Sequence, residues 1–202
     1  MTASNLALKR PGRRTVPETL RAAANAPPES RLSVVYTASQ IQQRVSEIAE
    51  RINCDYRNKT LHLMGLLDNS FMFIADLTRQ LRVPLVCHFL HVTTKDRTWH
   101  GLPLREITYG PKAALAGKHV LLVDGVLQTG ISLDFVIHSI QDQEPASLRT
   151  AALIVKTSAR KVGVSPDYAG FRSPCKFFVG YGMGYEGENM NLPYIAEMRR
   201  GD

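Results

Sequence analysis

Two stretches of the chain repeat apolar side chains at the spacing of an amphipathic helix. The first spans 37–52 and places one apolar stripe on a single face, formed by Ile41, Val45, Ile48, Ala49 and Ile52. Thr37 or Ser39 precedes this stripe and is suited to cap the first free amides. The second stretch runs over 71–81, and Pro84 marks its exit because proline cannot continue a helix. Both segments are therefore predicted to be helices packed on a core.

Shorter apolar runs between and after these helices indicate buried strands. They are 61–64, 85–92, 119–124, 148–155 and 176–181. A third helix is predicted over 132–141. Strands that alternate with helices favour a parallel sheet covered on both faces, which is an α/β fold. The polar segment 93–111 is long enough to be a mobile functional loop or a hairpin.

Net charge changes this picture only at the amino-terminal end. The formal charge is +7, but residues 1–31 hold six basic side chains against two acidic ones, which leaves +3 for the other 171 residues. This leader is rich in proline, alanine and arginine without periodicity, as is typical of disordered segments. We predict a disordered basic leader over 1–35, with weak phosphate affinity rather than a targeting role, and one folded domain over 36–202.

Composition narrows the function classes. Hydrophobic residues at 44% and charged residues at 21% are ordinary for a globular protein, which excludes a fibrous or wholly disordered chain. No apolar run approaches the roughly 18 residues that a membrane span needs. Three widely spaced cysteines, Cys54, Cys87 and Cys175, match neither a disulfide framework nor a metal-ligand spacing. The expectation is a reduced, cytoplasmic setting without membrane contact.

The segment 123–132 carries the clearest candidate chemistry. It leaves a predicted buried strand, passes through small and hydroxyl residues, and opens a predicted helix. Ligands of open α/β sheets bind beyond the carboxyl ends of the strands, and free amides at a helix start attract phosphate. Thr129 and Ser132 add hydroxyl donors, and Gly130 allows a close approach of the backbone. This spacing alone is consistent with a phosphate site or with an ordinary turn whose hydroxyls cap the helix.

Two motifs carry a resemblance to a known family. Residues 120–132 resemble the phosphoribosyl-pyrophosphate (PRPP) loop of type I phosphoribosyltransferases, in which a hydrophobic strand leads to two acidic residues, two aliphatics, an aspartate and Thr-Gly-x-Thr. Residues 176–185 and 191–195 are similar to the hypoxanthine–guanine branch of that family. The resemblance covers about 36–198 and implies a central, mostly parallel sheet flanked by helices, with a small hood. It also implies PRPP and a purine as substrates, Mg²⁺ as the cofactor of an active enzyme, and a homo-oligomer.

The resemblance gives the loop as a whole a nucleotide-binding role. Its implied contacts with a nucleotide or PRPP are Asp124, Gly125, Val126, Gln128, Thr129, Gly130, Ile131 and Ser132. Within this set, Thr129, Gly130 and Ser132 would hold the 5′-phosphate of the ribosyl group. Asp124 matches the first catalytic acidic residue, which contacts the ribose hydroxyls.

A second set of residues matches the purine-binding positions of the family. Lys156 matches the lysine that donates to the purine 6-oxo group and thereby selects hypoxanthine or guanine over adenine. Phe177 matches the aromatic residue that stacks on the base, and Phe178 matches the residue whose backbone contacts the purine edge. Taken alone, such a lysine is usually a solvated tip and such a phenylalanine is usually core. Their joint occurrence at matching positions favours binding.

The chain departs from the family pattern at the positions that handle pyrophosphate, metal and proton. Gly125 replaces the second acidic residue, and Gln128 replaces the aspartate expected to be the catalytic general base. The loop that should present an aliphatic residue, a lysine and a glycine to pyrophosphate reads Leu67-Asp68-Asn69. Gly184 replaces the metal-contacting aspartate, so no metal ligand is predicted there, and Met190 replaces an arginine.

Because these substitutions fall in one half of the site, we predict a protein that binds 6-oxopurine nucleotides such as IMP or GMP, with transferase activity weak or lost. The first alternative is an active hypoxanthine(-guanine) phosphoribosyltransferase of purine salvage, in which other side chains compensate. Those side chains are Lys95, Arg97 or Lys112 as the cation, and Asp68 or Glu186 as the metal ligand. The second alternative is an RNA-binding regulator on the same fold, suggested by the basic leader and Arg199-Arg200.

Overall fold

The computed structural model describes residues 32–67, 69–99, 102–109, 114–158, 160–175 and 177–199, with backbone alone for 93–99 and 102–109. In chain order the elements are β1 (Leu32–Tyr36), α1 (Ala38–Asp55), β2 (Leu61–Leu66), α2 (Phe71–Gln80), β3 (Leu85–Trp99), β4 (Leu102–Tyr109), β5 (His119–Leu127), α3 (Ile131–Gln141), β6 (Ser147–Lys156), β7 (Tyr168–Ser173), β8 (Phe178–Val179) and β9 (Ile195–Met198). None of the described helices is long and apolar enough to cross a membrane.

Six strands form the central sheet, in the spatial order β4-β3-β2-β5-β6-β7. The strands from β3 to β7 in that order pair in parallel, and β4 runs antiparallel to β3. β5 lies inside the sheet between β2 and β6, and its residues Val120, Leu121, Leu122 and Val123 are all fully enclosed. This arrangement confirms the predicted α/β fold with a mostly parallel sheet.

Helices cover both faces of the sheet and form a separate core on each. The core under α1 and α2 includes Ile41, Ile48 and Ile74, and the core under α3 includes Leu133 and Val136. At the start of α1, Thr37 and Gln40 form a capping box. The Gln40 amide donates to Thr37 Oγ1 at 3.3 Å, and the Thr37 amide donates to Gln40 Oε1 at 2.9 Å. The predicted capping role of Thr37 is confirmed.

A second, three-stranded antiparallel sheet joins the two ends of the described chain, in the order β1-β9-β8. Its first strand begins at Leu32, where Leu32 pairs with Met198 and Val34 pairs with Ala196. β1 forms because the carboxyl-terminal strand provides a partner that local sequence cannot show. The side chain of Val34 is exposed, so it does not belong to the hydrophobic core whose pattern allows a strand to be predicted from the sequence.

Three predicted boundaries need correction. The strand predicted over 176–181 is reduced to β8, since the positive φ of Gly180 (91°) and Tyr181 (50°) ends the extended backbone. β5 runs on to Leu127, beyond its predicted end, because it keeps its pairing with β6. The strand predicted over 85–92 runs on to Trp99, because β3 and β4 form the hairpin that was one of the two alternatives predicted for 93–111.

Candidate functional site

Two adjoining cavities lie at the carboxyl end of β5. The larger, about 250 Å³, includes Asp124, Val126, Gln128, Thr129, Gly130 and Ser132 in its lining. The smaller, about 160 Å³, includes Lys156, Phe177, Phe178 and Gly184. Asn69, Val126 and Gln128 line both, so these three residues mark where the cavities meet. Neither cavity reaches the roughly 300 Å³ at the lower end of small-molecule pockets, so a ligand of nucleotide size would need both.

At the turn between β5 and α3, the Ile131 amide donates to Thr129 Oγ1 at 3.3 Å. The N-cap of α3 is Gly130, which has no side chain to accept from the first amides of the helix. Its φ of 83° lies in the left-handed region that favours glycine. The Thr129 carbonyl accepts from the amides of Lys161 (3.0 Å) and Val162 (3.1 Å), which holds the turn in place. A helix start of this kind is suited to an anion such as phosphate.

Lys156 is the charged residue among those that line the smaller cavity. It ends β6 with 5% of its surface exposed, and its Nζ lies 5.9 Å from the ring centroid of Phe177 and 5.6 Å from that of Phe178. Burial lowers the pKa of the Lys156 ammonium, while Cys175 acts in the opposite direction. An ammonium held beside two aromatic rings can donate to a neutral carbonyl oxygen on a flat ligand. The structure thus brings together the three residues predicted to hold a purine.

Asp124 is the acidic residue of the larger cavity. Desolvation raises the pKa of its carboxyl to about 6, although the amides of Val126 and Gly125 hydrogen-bond the carboxylate and oppose this rise. The Val126 amide donates to Asp124 Oδ1 at 3.3 Å. Near neutral pH the group is therefore ionised, but it titrates closer to neutrality than an ordinary aspartate.

Gly125 lies against the segment that follows β2. A Cβ at position 125 would come within 2.1 Å of the Asn69 carbonyl oxygen and 3.1 Å of Ser70 Cα. The backbone at Gly125 is not left-handed, so lack of space alone excludes a side chain. Ser70 is buried and donates its hydroxyl to the Leu66 carbonyl, which fixes the obstructing backbone. The position of the family's second acidic residue is closed.

A similar closure occurs at Gly184. A Cβ there would come within 2.4 Å of Met190 Cγ and 2.8 Å of the Glu188 carbonyl oxygen. The Met190 carbonyl accepts from the Gly182 amide at 2.9 Å, which holds the 190 segment beside the glycine-rich one. Met190 itself lines neither cavity. The two substitutions predicted from the motif are therefore neighbours, and the methionine fills the space next to the glycine.

The described part of the site offers Mg²⁺ fewer carboxylates than the family pattern does. This ion takes oxygen ligands and is usually bound through one or two carboxylates together with substrate phosphates. At the two acidic loop positions and at position 184, only Asp124 still has a carboxylate, and both glycines are closed to a longer side chain. Within the described residues, no group of three or more His, Cys, Asp or Glu side chains could hold a metal.

The remaining predicted residues are only partly placed. Asp68 lies outside the described residues, and so do the side chains of Lys95, Arg97 and Lys112. Leu67 lines the larger cavity and is 40% exposed, whereas Glu186 is exposed and lines neither cavity. Gly125 and Ile131 also lie outside both linings.

Several apolar lining residues were missed by sequence reasoning. Leu66, Val92 and Leu133 line the larger cavity, and Met183 lines the smaller one. Met183 lies inside a motif that carried the resemblance, but the sequence did not show that this residue lines the cavity. Leu66 ends β2, Val92 lies within β3 and Leu133 is in the first turn of α3, positions that give no signal distinct from core packing.

Comparison with known proteins agrees with this geometry. The model of the phosphoribosyl transferase domain family matches residues 33–186. The chain therefore belongs to the phosphoribosyltransferase family.

Its relatives place it in the hypoxanthine–guanine branch. The chain is 31% identical over 170 residues to the hypoxanthine-guanine phosphoribosyltransferase of Dictyostelium discoideum, covering 82% of this chain and 94% of that protein. It is 34% identical over 173 residues to the hypoxanthine phosphoribosyltransferase of Haemophilus influenzae, with 83% and 95% covered. The crystal structure of a hypoxanthine phosphoribosyltransferase from Staphylococcus aureus matches with a TM-score of 0.77 and 29% identity, over 87% of this chain and 96% of that one. The predicted family is confirmed.

Proposed function

We propose that this protein binds a 6-oxopurine nucleotide, such as IMP or GMP, across the two cavities, and that it transfers the phosphoribosyl group weakly or not at all. The phosphate would lie at the start of α3, near Thr129, Gly130 and Ser132. The base would lie in the smaller cavity, with Lys156 on its 6-oxo group and Phe177 against its ring. Asp124, in the larger cavity, would contact the ribose hydroxyls.

One observation carries the proposed loss of transfer: the closure at Gly125 and at Gly184. Asn69 backbone occupies the space of a side chain at 125, and Met190 occupies that space at 184. Gly184 lines the smaller cavity, but at both positions protein atoms occupy the space that a side chain would need. This supports a structure adapted to the absence of the two carboxylates.

Magnitudes support weak or lost transfer. A positioned general base contributes about 10²–10⁴ to a rate, and a glutamine at 128 cannot accept a proton near neutral pH. Each preorganised electrostatic stabiliser that is lost costs about 3–4 kcal/mol. These costs are not additive, since residues of one site act as a unit. Even one of these losses would be larger than the free energy that Lys156, Thr129 or Ser132 would each contribute to nucleotide binding.

Isothermal titration calorimetry with IMP and GMP tests the proposal, in Mg²⁺ and again in EDTA. The expected result is micromolar affinity, about −8 kcal/mol, that is the same in both buffers. AMP provides the control ligand, because its 6-amino group would face the Lys156 ammonium. Absence of IMP and GMP binding in both buffers would refute the proposal.

An active transferase is the competing function, and the names of the curated relatives favour it. Correct positioning alone contributes to rate, so a site without its general base could still turn over. A spectrophotometric assay with hypoxanthine or guanine, PRPP and Mg²⁺ separates the two. Turnover of about 1 s⁻¹ or faster, the low end for ordinary enzymes, would establish the transferase and reject the proposal of weak activity. The RNA-binding alternative rests on the basic leader and Arg199-Arg200, and apart from Arg199 these charges lie outside the described residues.

A further inference from the structure

Two histidines on neighbouring strands contact each other directly. His62 is on β2 and His88 is on β3, and these strands pair in parallel with His62 opposite Val86. His88 therefore lies two residues further along, on the same face of the sheet. The Nδ1 atom of His62 is 3.2 Å from the Nε2 atom of His88, and the two ring planes differ by 9°. Both residues are half-buried, so the sheet restricts how far the rings can move apart.

This contact keeps a lone pair available between the rings. One of the two facing nitrogens donates its N–H and the other accepts, so at least one ring is neutral. Burial lowers the pKa of the His62 imidazole, and the charges of His88 and Lys118 act in the same direction. Near neutral pH His62 is therefore uncharged. Neutral imidazole is also the form in which histidine binds metal ions.

The distance between the two nitrogens is close to that between two ligands of one metal ion. A zinc–nitrogen bond is about 2.0–2.1 Å long, so tetrahedral geometry places two nitrogen ligands about 3.3–3.4 Å apart. The 3.2 Å contact needs little change in distance to reach this value. The proton between the rings would move to the outer nitrogen of its own imidazole, and a small rotation of each ring would direct both lone pairs at one ion.

Nitrogen ligands determine the class of cation. Imidazole suits Zn²⁺, Ni²⁺ and Cu²⁺, whereas Mg²⁺ prefers oxygen ligands. Within the part of the chain that the structure describes, no third His, Cys, Asp or Glu side chain joins the pair, so water would complete the coordination. We propose that His62 and His88 form a binding site for a divalent transition-metal ion of the Zn²⁺ and Ni²⁺ class, held by His62 Nδ1 and His88 Nε2.

This site is separate from the nucleotide site proposed above. Leu66 and Val92 line the larger cavity, and each lies four residues beyond the histidine of its own strand. Four residues of strand span about 13 Å, so an ion on the histidine pair would not touch a ligand in that cavity. It would instead join β2 to β3. Because folding brings the two histidines together, the ion would stabilise the folded chain.

Isothermal titration calorimetry with NiCl₂, ZnCl₂ and MgCl₂ near neutral pH tests the site. The expected result is one Ni²⁺ or Zn²⁺ per chain and no heat of binding from Mg²⁺. His62→Gln and His88→Gln should each weaken Ni²⁺ binding by at least about tenfold, since even a residue that only orients a metal ligand contributes that much. Val86→His places a third imidazole opposite His62, at a position that is 39% exposed, and should strengthen Ni²⁺ binding by at least about tenfold.

Two control variants make the assignment specific. His138→Gln removes a histidine on α3 whose Nδ1 lies 3.7 Å from Asp134 Oδ2, a pair that could also take a cation. Cys87→Ser removes the exposed thiol next to His88, which alternation along the strand places on the other face of the sheet. Both variants should bind Ni²⁺ as the unmodified protein does. Circular dichroism and thermal unfolding without metal establish that each variant is folded.

Each of the other results would overturn the proposal. Absence of Ni²⁺ and Zn²⁺ binding by the unmodified protein would do so, and so would equal Ni²⁺ affinity in both histidine variants and the unmodified protein. Loss of binding in His138→Gln or Cys87→Ser would assign the ion elsewhere. Unchanged affinity in Val86→His would contradict the placement of the ion between β2 and β3, and this variant decides the question if neither histidine variant folds. No nucleotide is present in these titrations, so their result is independent of the proposed function.

Discussion

Met190 packs against Gly184 so closely that a Cβ at position 184 would lie 2.4 Å from Met190 Cγ. The family pattern has an aspartate and an arginine at these two positions, both of them charged. Here a glycine and a methionine share one small volume. The two positions are thus coupled by packing, and each restricts what the other can be.

This coupling predicts a measurable interaction in stability. Gly184→Ala should lower the free energy of unfolding by about 1–3 kcal/mol, the usual cost of overpacking. In a Met190→Ala background the same change should cost about 1 kcal/mol less, because the methionine no longer obstructs the new methyl group. Some cost remains, since the Glu188 carbonyl lies 2.8 Å from the same Cβ position.

Urea unfolding of the four proteins in this cycle provides the measurement. Met198→Ala serves as the control background, because Met198 lies on β9 and pairs with Leu32. The penalty of Gly184→Ala should be unchanged there. Additive penalties in the Met190 cycle would show that the two residues are independent.

Gly125 yields a second stability prediction. Gly125→Ala should destabilise the fold by about 2 kcal/mol or more, because the obstructing atoms belong to the Asn69 backbone rather than to a flexible side chain. Gly163→Ala is the matched control, as nothing lies within 4 Å of a Cβ built there. Differential scanning calorimetry should show a melting temperature lower by about 4–8 °C in the first variant and nearly unchanged in the second. Equal melting temperatures would mean that the segment 69–70 moves away at little cost.

Asp124 predicts a pH dependence with a definite sign. Its pKa is raised from 3.8 to about 6, so the folded state favours the protonated form. The stability that this protonation contributes is fully present below the unfolded pKa and is lost as pH rises through about 6. Asp124→Asn should therefore gain stability relative to the unmodified protein as pH rises from about 4 to about 7, by on the order of 1–3 kcal/mol. Guanidinium unfolding across this range measures it, and a constant difference would contradict the raised pKa.

Lys156 should separate binding from folding. Lys156→Met keeps a side chain of similar length and removes a buried ammonium, so the free energy of unfolding should stay within about 1 kcal/mol. Binding of IMP should fall by about 10-fold to 150-fold, the loss of a charged hydrogen bond to the 6-oxo group. Lys118→Met, at an exposed residue just before β5, should change neither quantity. A large loss of stability with unchanged IMP affinity would show that Lys156 serves the fold and not nucleotide binding.

Tyr181 anchors the glycine-rich segment that follows β8. Its hydroxyl donates to Asp76 Oδ2 on α2 at 2.6 Å, and its φ of 50° is unfavourable without such support. Tyr181→Phe should lower the free energy of unfolding by about 1.5–3 kcal/mol, as expected for a bond to a charged acceptor. Tyr36→Phe, whose hydroxyl contact with the Arg172 carbonyl is 3.5 Å long, should cost less than about 0.5 kcal/mol. Equal losses of unfolding free energy in the two variants would show that the Tyr181 hydroxyl does not anchor this segment.

The parallel sheet could be predicted because the hydrophobic pattern of each of its main strands and helices is visible within that segment of the sequence. The run from His119 is apolar throughout, and the stripe on α1 repeats at helical spacing, so both followed from period alone. β1 and β9 could not be found in this way. They are short strands that pair with each other across the whole chain, and Val34 faces solvent.

The candidate site, like the fold, could be predicted from the sequence only in part. Thr129, Gly130 and Lys156 could be selected from their motifs, because residue type and order carry their chemistry. The substitutions at Gly125 and Gly184 were visible too, but a sequence shows only that a side chain is missing. It does not show that Asn69 backbone or Met190 has taken its place, since those contacts depend on how two loops meet in space.

The central claim is an asymmetry between a site for the nucleotide and a site for the donor, and calorimetry of IMP against PRPP in the same magnesium buffer measures it most directly. The account predicts that IMP binds at least about tenfold more tightly than PRPP, a difference of about 1.4 kcal/mol. It also predicts that EDTA changes neither affinity. PRPP that binds more tightly than IMP, and that loses this affinity in EDTA, would contradict the account.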